Sequence, residues 1–418
     1  MLVKTILNHI QKYSSFVYGD ATLYKREENL ILDIAISPRK NSRPVCSKCG
    51  VHGPGYDHMP TPRRFEYIPI WGILVFFVYT MRRVDCPTCG VTIESVPWGD
   101  GKRQTTTTYS WFLAHFAKKM SWVEVAKTFK TSWANVYFAV EMAVEWGRKN
   151  LNLSDVTAIG IDEILWHRGH KYLTVVYQIS GATKRLLWVG QERTVKTTLK
   201  FFRWFGPELS GKLHFIASDM WKPYLKVIAR KAGQATHVLD RYHIMAMMNK
   251  AIDKVRNAEA KKLQQQGREP VLKNGRWCLL KREENLTDKQ NIKLAELLQY
   301  NLKTVRAYLL KEDFQFFWSY VSPYWAGKFI DKWCTRTMRS KIEPMKKIAK
   351  SLRKNRELIL NWFRARGQIS QGAVEGLNTK AKLAMRKSFG WRSFRCAEIA
   401  LFHTLGNLPE PKFTHRFW

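Results

Sequence analysis

Acidic residues are scarce in this 418-residue chain: 34 Asp and Glu stand against 70 Lys and Arg, leaving a formal charge of +36. Long apolar runs are missing as well. The longest, Ile68–Tyr79, covers 12 residues and is broken by Pro69 and Gly72, whereas a membrane-spanning helix needs about 20; no membrane partner is expected. The opening MLVKTILNHIQKYSSF has no apolar block of the kind that drives secretion, so a cytoplasmic, reducing setting is expected. There is no internal repeat, no H-E-x-x-H pair and no G-x-S-x-G elbow, which removes the grounds for metalloprotease or serine-hydrolase chemistry. The stretch from Gly206 to Leu213 nearly spells a phosphate-binding loop. It fails because Leu213 stands where a hydroxyl is required and because its glycines precede a strand instead of following one.

Apolar residues make up 45% of the chain and aromatics 13%, ample for packed cores, so the positive charge must lie on folded surfaces. At roughly 150 residues per domain, two to four domains are expected. A polyanion, most simply double-stranded DNA, is the natural partner of such a surface, with affinity that falls steeply as salt rises. The polar run from Gly99 to Tyr109 is the clearest linker, and Gly367 and Gly372 punctuate the chain near its end. The expected organisation is an N-terminal segment with a zinc ribbon over 1–98, a helix-turn-helix over 105–150, the first part of a catalytic domain over 156–243, a helical insertion over 244–362, and the C-terminal part of the catalytic domain over 363–418. The expected fold class is multidomain α+β.

Four of the seven cysteines fall into two pairs, Cys46/Cys49 and Cys86/Cys89, each followed by glycine. Four thiolates close a tetrahedral shell with no open position, so the pattern predicts a structural zinc ion. Between the pairs, strands at 65–70 and 73–83 turning at Trp71-Gly72 are read as the ribbon's hairpin. After the linker, Ser121 and Glu124 form a capping box, Lys130 to Ser132 make a break, and Ser132 caps a second helix toward Trp146. With a supporting helix at 111–120 this is a three-helix arrangement whose last helix suits a major groove. Ser132, Trp133, Asn135 and Tyr137 are its solvent-facing candidates.

From Thr157 the elements run β-β-β-α-β-α-β, with Asp162, Asp219 and Asp240 at strand ends. A right-handed crossover sets the fourth strand parallel to the first, which places Asp162 beside Asp219. Two such carboxylates repel and are costly to bury unless a cation lies between them. Hard oxygen ligands favour a pair of Mg²⁺ or Mn²⁺ ions, the metal logic of in-line phosphoryl displacement. Alternation along the strand directs Glu163 away from Asp162. On the segment from Gly372 onward, Glu375, Asn378, Lys382 and Arg386 share one helical face. Glu375 is the third metal-binding candidate, and Lys382 and Arg386 are candidates for holding DNA phosphates. Asp240, His243 and Asn378 are expected in supporting positions behind the ligands. Trp221, Trp318, Trp325 and Trp391 are candidates for stacking on bases.

GIDE at 160–163, SDMWKPY at 218–224, HVLDRYHI at 237–244 and GAVEGLNTKAKLAMRKSFGWRSF at 372–394 follow the four cysteines and the helix-turn-helix in order. This combination resembles DDE transposases of bacterial insertion sequences, specifically the ISL-three group, over nearly the whole chain. The resemblance implies a ribonuclease-H-like catalytic domain with Asp162, Asp219 and Glu375 as its acidic triad. It further implies metal-dependent cleavage and 3′-OH strand transfer on element ends and target DNA, and a homodimer or higher oligomer associated with the nucleoid through DNA. Two rival readings are a non-catalytic zinc-ribbon and helix-turn-helix regulator and a simple ribonuclease-H-like nuclease. A Mg²⁺-dependent nicking assay separates the first from the enzyme, and a strand-transfer product separates the second.

Overall fold

The computed structural model describes residues 3–167, 169, 171–268, 270–365, 372–388 and 390–417, with backbone alone for 415–417. Gly367 lies outside the described residues. The chain forms two compact units, Met1–Leu151 with Leu383–Trp418, and Asn152–Lys382.

The first unit opens with α1 (Val3–Ile10), β1 (Phe16–Arg26) and β2 (Asn29–Pro38), followed by β3 (Gly55–His58), β4 (Arg63–Ile70), β5 (Ile73–Tyr79), β6 (Arg82–Cys86) and β7 (Gly90–Ile93). The expected hairpin exists as β4–β5, with Ile70 paired to Ile73 across the Trp71-Gly72 turn. It is not, however, part of the cysteine module. It belongs to a four-stranded sheet ordered β1-β2-β5-β4, while Cys86 ends β6 of a separate sheet ordered β3-β6-β7, with Cys89 in the β6–β7 turn and Cys46 bridged to Glu94 just past β7. The reason is side-chain volume. Phe65, Tyr67, Val75, Phe77 and Tyr79 point inward and need a large apolar counterpart, which Phe16, Tyr18 and Trp98 supply. Trp98 meets Phe16, Phe65 and Tyr79 edge-on at centroid distances of 4.8, 6.1 and 5.4 Å. The apolar cluster at the cysteines is only Cys46, Val84 and Cys86 with Cys89 beside them, too small to bury such a hairpin.

Three helices follow: α2 (Thr107–Lys119), α3 (Trp122–Thr128) and α4 (Trp133–Lys149). The capping box at Ser121 forms in both directions, with Ser121 Oγ accepting from the Glu124 N–H and Glu124 accepting from the Ser121 N–H. Such a cap is worth about 1 kcal/mol. Ser132 caps α4 by accepting from the Asn135 N–H at 3.1 Å, and Val125, Val136, Ala139, Val140 and Val144 are buried between the helices.

The second unit holds a five-stranded sheet of β8 (Ala158–His167), β9 (Lys171–Gln178), β10 (Arg185–Gln191), β11 (Phe215–Ser218) and β12 (Thr236–Leu239), in the order β10-β9-β8-β11-β12. Strands β8, β9 and β10 form an antiparallel meander, and β11 pairs parallel with both β8 and β12. The crossovers are α5 (Val195–Gly211), kinked where Gly206 takes φ 81°, and α6 (Lys222–Lys231). Phe201, Phe202, Phe205, Tyr224, Val227 and Ile228 cover the sheet against Ile159, Ile161 and Ile216.

Helices α7 (Arg241–Gln265), α8 (Arg276–Leu280), α9 (Asp288–Leu298), α10 (Lys303–Gln315), α11 (Pro323–Arg339), α12 (Glu343–Lys354) and α13 (Arg356–Arg364) form their own core around Phe314, Phe317, Trp333 and Phe363. This helical body is keyed to β12 by Asn361, which donates to the His237 carbonyl at 2.9 Å. Helix α14 (Gly372–Lys387) then lies on β8. A Cβ at Gly160 would stand 2.4 Å from Val374 Cγ2, so glycine at 160 permits that close approach.

The last helix, α15 (Phe394–Leu405), groups with the first unit, whereas the sequence reading assigned 363–418 as a whole to the catalytic domain. Its packing partner is α4: Arg148 pairs with Glu398 at 2.8 Å, and Arg395 pairs with Glu141 at 3.0 Å. No helix among the described residues is long and apolar enough to cross a membrane.

Candidate active site and metal centre

Because β11 runs parallel to β8 with Ser218 opposite Ile161, the next residues, Asp219 and Asp162, stand side by side. Asp219 lies just past the end of β11. Asp162 lies in the middle of β8, not at its end as the sequence suggests, because β8 continues to His167 in its pairing with β9. Each carboxylate is engaged at both oxygens. Asp162 Oδ1 accepts from the Glu163 N–H at 2.7 Å, and Oδ2 accepts from Asn378 Nδ2 at 2.6 Å. Asn378 in turn accepts from the Tyr177 hydroxyl at 2.8 Å, which fixes the orientation of its amide. Asp219 Oδ1 accepts from the Trp221 N–H at 3.0 Å, and Oδ2 accepts from Arg193 Nη2 at 2.6 Å. Burial pushes both aspartates above the usual carboxylate range, against the pull of these hydrogen bonds.

Arg193 has no precedent in the sequence reading. It lies between β10 and α5, its Nε 2.6 Å from Glu163 Oε1, its Nη2 on Asp219, and its guanidinium 4.4 Å from the Trp221 ring centroid. Asp162 faces Asn378 of α14 while Glu163 faces Arg193, so the two side chains part as strand alternation predicts, yet Glu163 still meets the acidic centre. It shares one guanidinium with Asp219, and burial together with repulsion from Asp219 raises its pKa to about 7. Nothing local marks Arg193 in the sequence, because the pairing depends on a loop folding back onto the middle of β8 and the end of β11.

Asp240 ends β12 and caps α7. Its Oδ1 accepts from the Tyr242 N–H at 2.8 Å, and its Oδ2 lies 2.9 Å from His243 Nδ1. That hydrogen bond raises the His243 pKa to about 9, with Asp162 and Asp219 adding electrostatic support. The pair thus brings a positive charge toward the aspartates.

Glu375 is exposed, in the first turn of α14. It lies one helical turn, about 5 Å along the axis, from Asn378, which holds Asp162. The structure brings Asp162, Asp219, Asp240, His243 and Asn378 into one neighbourhood. It does not close Glu375 onto the aspartates: among the described residues, the one group of three or more ligand atoms within 4.8 Å of one another is formed by the cysteines. Asn378 is buried and so leaves the face expected to carry Glu375, Lys382 and Arg386. The packing face is Val374, Leu377, Asn378 and Ala381, and Lys382 and Arg386 remain exposed. The donor set of desolvated carboxylate oxygens, countered by fixed cations, fits a hard divalent metal better than a soft one.

Cys46, Cys49, Cys86 and Cys89 have all four sulfurs within 4.8 Å of one another. A tetrahedral ion with 2.3 Å metal–sulfur bonds needs sulfur separations of ~3.8 Å, so this cluster fits a metal with little movement.

Of the four helix-turn-helix candidates, Trp133 is exposed and stacks on Tyr137 at 5.5 Å, and Ser132 is engaged as the cap of α4. Asn135 departs from expectation. Its Nδ2 donates to Glu66 Oε2 at 3.0 Å and to Thr131 Oγ1 at 3.0 Å, so it joins α4 to β4. Among the tryptophans, Trp318 and Trp391 are core residues, Trp221 supports Arg193, and Trp325 is exposed.

Comparison with known proteins covers the acidic site. The sequence model of an ISL-three family, described as transposase, matches residues 159–401, more than half of the chain and inclusive of every acidic-site residue above. The transposase for insertion sequence element IS1001 of Bordetella parapertussis is 28% identical over 351 residues, covering 83% of this chain and 85% of that protein. The transposase for insertion sequence element IS1557 of Mycobacterium tuberculosis is 28% identical over 382 residues, covering 86% and 85%. The chain belongs to the ISL-three family of DDE transposases, enzymes that act on DNA.

Proposed function

We propose that this transposase cuts the phosphodiester backbone at the ends of its element and joins the resulting 3′-OH to target DNA, with Asp162, Asp219 and Glu375 as its metal-binding acids. The observation that carries the reading is the parallel pairing of β11 with β8, which sets two desolvated aspartates side by side, one within β8 and one just past the end of β11. The strand order β10-β9-β8-β11-β12 supports a ribonuclease-H-like catalytic domain, interrupted by the helical body of α7 to α13.

Two Mg²⁺ or Mn²⁺ ions bound there would activate the attacking oxygen and stabilise the leaving oxygen of an in-line displacement. The chain's own residues supply position and charge. Asn378 and the Glu163 N–H orient Asp162, the Trp221 N–H and Arg193 orient Asp219, and His243 on Asp240 holds a positive charge facing the strand ends. In the first step water attacks phosphorus and the 3′ oxygen leaves as a 3′-OH. In the second, that 3′-OH attacks a phosphorus of the target and displaces its bridging oxygen. Neither step forms a bond to the protein, so no serine or tyrosine nucleophile is required.

The cysteine cluster is read as a structural zinc site, and α2 to α4 as a helix-turn-helix in which α4 approaches the major groove of the element ends, with Ser132, Trp133 and Tyr137 near its start. Exposed Lys382 and Arg386 are read as phosphate contacts. Two ends must be joined, so a homodimer or higher oligomer on DNA is proposed, acting in the cytoplasm on the nucleoid. The test is Mg²⁺-dependent cleavage and strand transfer on duplexes carrying the element's terminal repeats. Wild type gives both products, and Asp162→Ala, Asp219→Ala and Glu375→Ala give neither while retaining end binding. Cleavage retained by any one variant removes that residue from the triad, and hydrolysis without joined product reduces the enzyme to a nuclease.

A further inference from the structure

The β4–β5 hairpin closes with only two residues, Trp71 and Gly72, and both have positive φ, 49° and 81°. This is the φ pattern of a type I′ turn, whose first position normally holds asparagine, aspartate or glycine because a bulky L-residue is strained in the left-handed region. Trp71 is also 100% exposed. The turn thus carries a strained residue, and the largest apolar side chain available, with no packing among the described residues to compensate either cost. Strain kept without internal compensation points to a contact made with a partner.

The placement of the hairpin indicates which partner. Thr131 Oγ1 and Asn135 Nδ2, at the start of α4, both donate to Glu66 Oε2 on β4, at 3.1 and 3.0 Å. Trp71 lies five residues further along, but β4 bulges between Tyr67 and Ile70, so the rise is that of about four residues, ~13 Å at ~3.3 Å per residue, with the length of the exposed indole beyond it. Half a turn of B-DNA, the step from a major groove to the adjoining minor groove, is about 17 Å. The charges at that end of the sheet are mixed, Lys25, Arg26 and Lys130 against Glu27 and Glu28, so attraction to phosphate does not by itself account for the tip.

We propose that Trp71 is a wedge that enters the minor groove next to the groove approached by α4 and inserts between base steps of the element's end, kinking the duplex. Apolar side chains act this way in minor-groove binding. The inference rests on the helix-turn-helix reading of α4.

The test uses the full-length protein and terminal-repeat duplexes carrying 2-aminopurine at successive steps, with end-to-end energy transfer reporting the bend. Wild type should raise 2-aminopurine emission at one step and shorten the end-to-end distance. Trp71→Ala should lose both signals and bind about tenfold more weakly, and Trp71→Phe should keep most of each. Trp71→Asn, which suits the turn, should melt no lower than wild type while losing the DNA signals. Trp71→Ala binding and bending DNA as wild type overturns the wedge alone. So does Trp71→Asn melting lower, which would make the ring structural, or Trp71→Ala changing the oligomeric state with the DNA distortion intact, which would make it a contact to a second copy. Failure of wild type to bind terminal duplexes overturns the helix-turn-helix reading along with it.

Discussion

The two groups of candidate metal ligands in this transposase are built in opposite ways. Cys46, Cys49, Cys86 and Cys89 come from two short turns, one ahead of a small sheet and one between two of its strands, and converge until every sulfur lies within 4.8 Å of the others. The acidic site gathers side chains from the middle of β8, the ends of β11 and β12, and one helix, with Asn378 reaching Asp162 across 216 positions. Its carboxylates are desolvated and held apart by Arg193, backbone N–H groups and an amide. A closed thiolate shell holds an ion in order to hold the fold, whereas an open row of oriented oxygens leaves room for substrate atoms. Closure in the first and openness in the second are therefore signs of different tasks.

The largest effects should separate the two sites by the property lost. Asp162→Ala or Asp219→Ala should lower strand cleavage by about 10³-fold or more, the scale of removing a group that stabilises transition-state charge, with terminal-duplex affinity and melting temperature close to wild type. Loss of DNA binding in step with cleavage would erase the distinction. Cys86→Ser, or removal of metal with a strong chelator, should instead abolish one bound zinc per chain. It should destabilise the first unit by at least about 3 kcal/mol, since structural zinc contributes folding energy directly. Metal analysis paired with calorimetry checks this, and a zinc-free chain that melts as the wild type does would contradict it.

Arg193→Gln sharpens the comparison from within the acidic site. It leaves Glu163 and Asp219 facing one another with no shared counter-charge, so stability should fall by about 2 kcal/mol, between the ranges for exposed and buried pairs. Cleavage should fall by roughly tenfold or more, on the reasoning that Asp219 loses its orientation. Arg193→Lys should not restore either, because one ammonium lacks the planar fork that reaches two carboxylates. Chemical denaturation and single-turnover cleavage report the two effects, and full rescue by lysine would reduce Arg193 to a simple charge.

The smallest effect concerns pH. His243 has its pKa raised from 6.5 to about 9, chiefly by Asp240. Its imidazolium is favoured in the fold over the unfolded chain, so the stabilisation is complete below pH 6.5 and is lost as pH rises through about 9. Metal-free wild type should therefore melt lower at pH 9.5 than at pH 6 through this pair, and Asp240→Asn should flatten that part of the profile. A decline of the same size in the variant would assign it to other groups.

Local features of the first unit were legible because they are decided within a few residues. The Ser121 and Ser132 caps lie where side-chain chemistry places them, and the β4–β5 turn falls where Gly72 accepts a positive φ. The sheet to which that turn belongs was not legible. Phe65, Phe77 and Tyr79 pair with aromatics at positions 16, 18 and 98, and apolar contacts carry no address in the sequence. In the second unit, the adjacency of Asp162 and Asp219 followed from element order and the handedness of crossovers. The engagement of Asn135 with Glu66, the burial of Asn378 and the position of Arg193 did not, since each depends on a partner from a distant element.

By itself the sequence determined the cysteine spacing, the helix caps, the β-β-β-α-β-α-β order and the family, because these rest on short-range geometry, chirality and motif order. Only the tertiary structure decided which acids share an arginine, which amide orients Asp162, and which sheet receives the hairpin. Those outcomes are settled by desolvation and close packing, and both act between residues that meet only after the chain has folded.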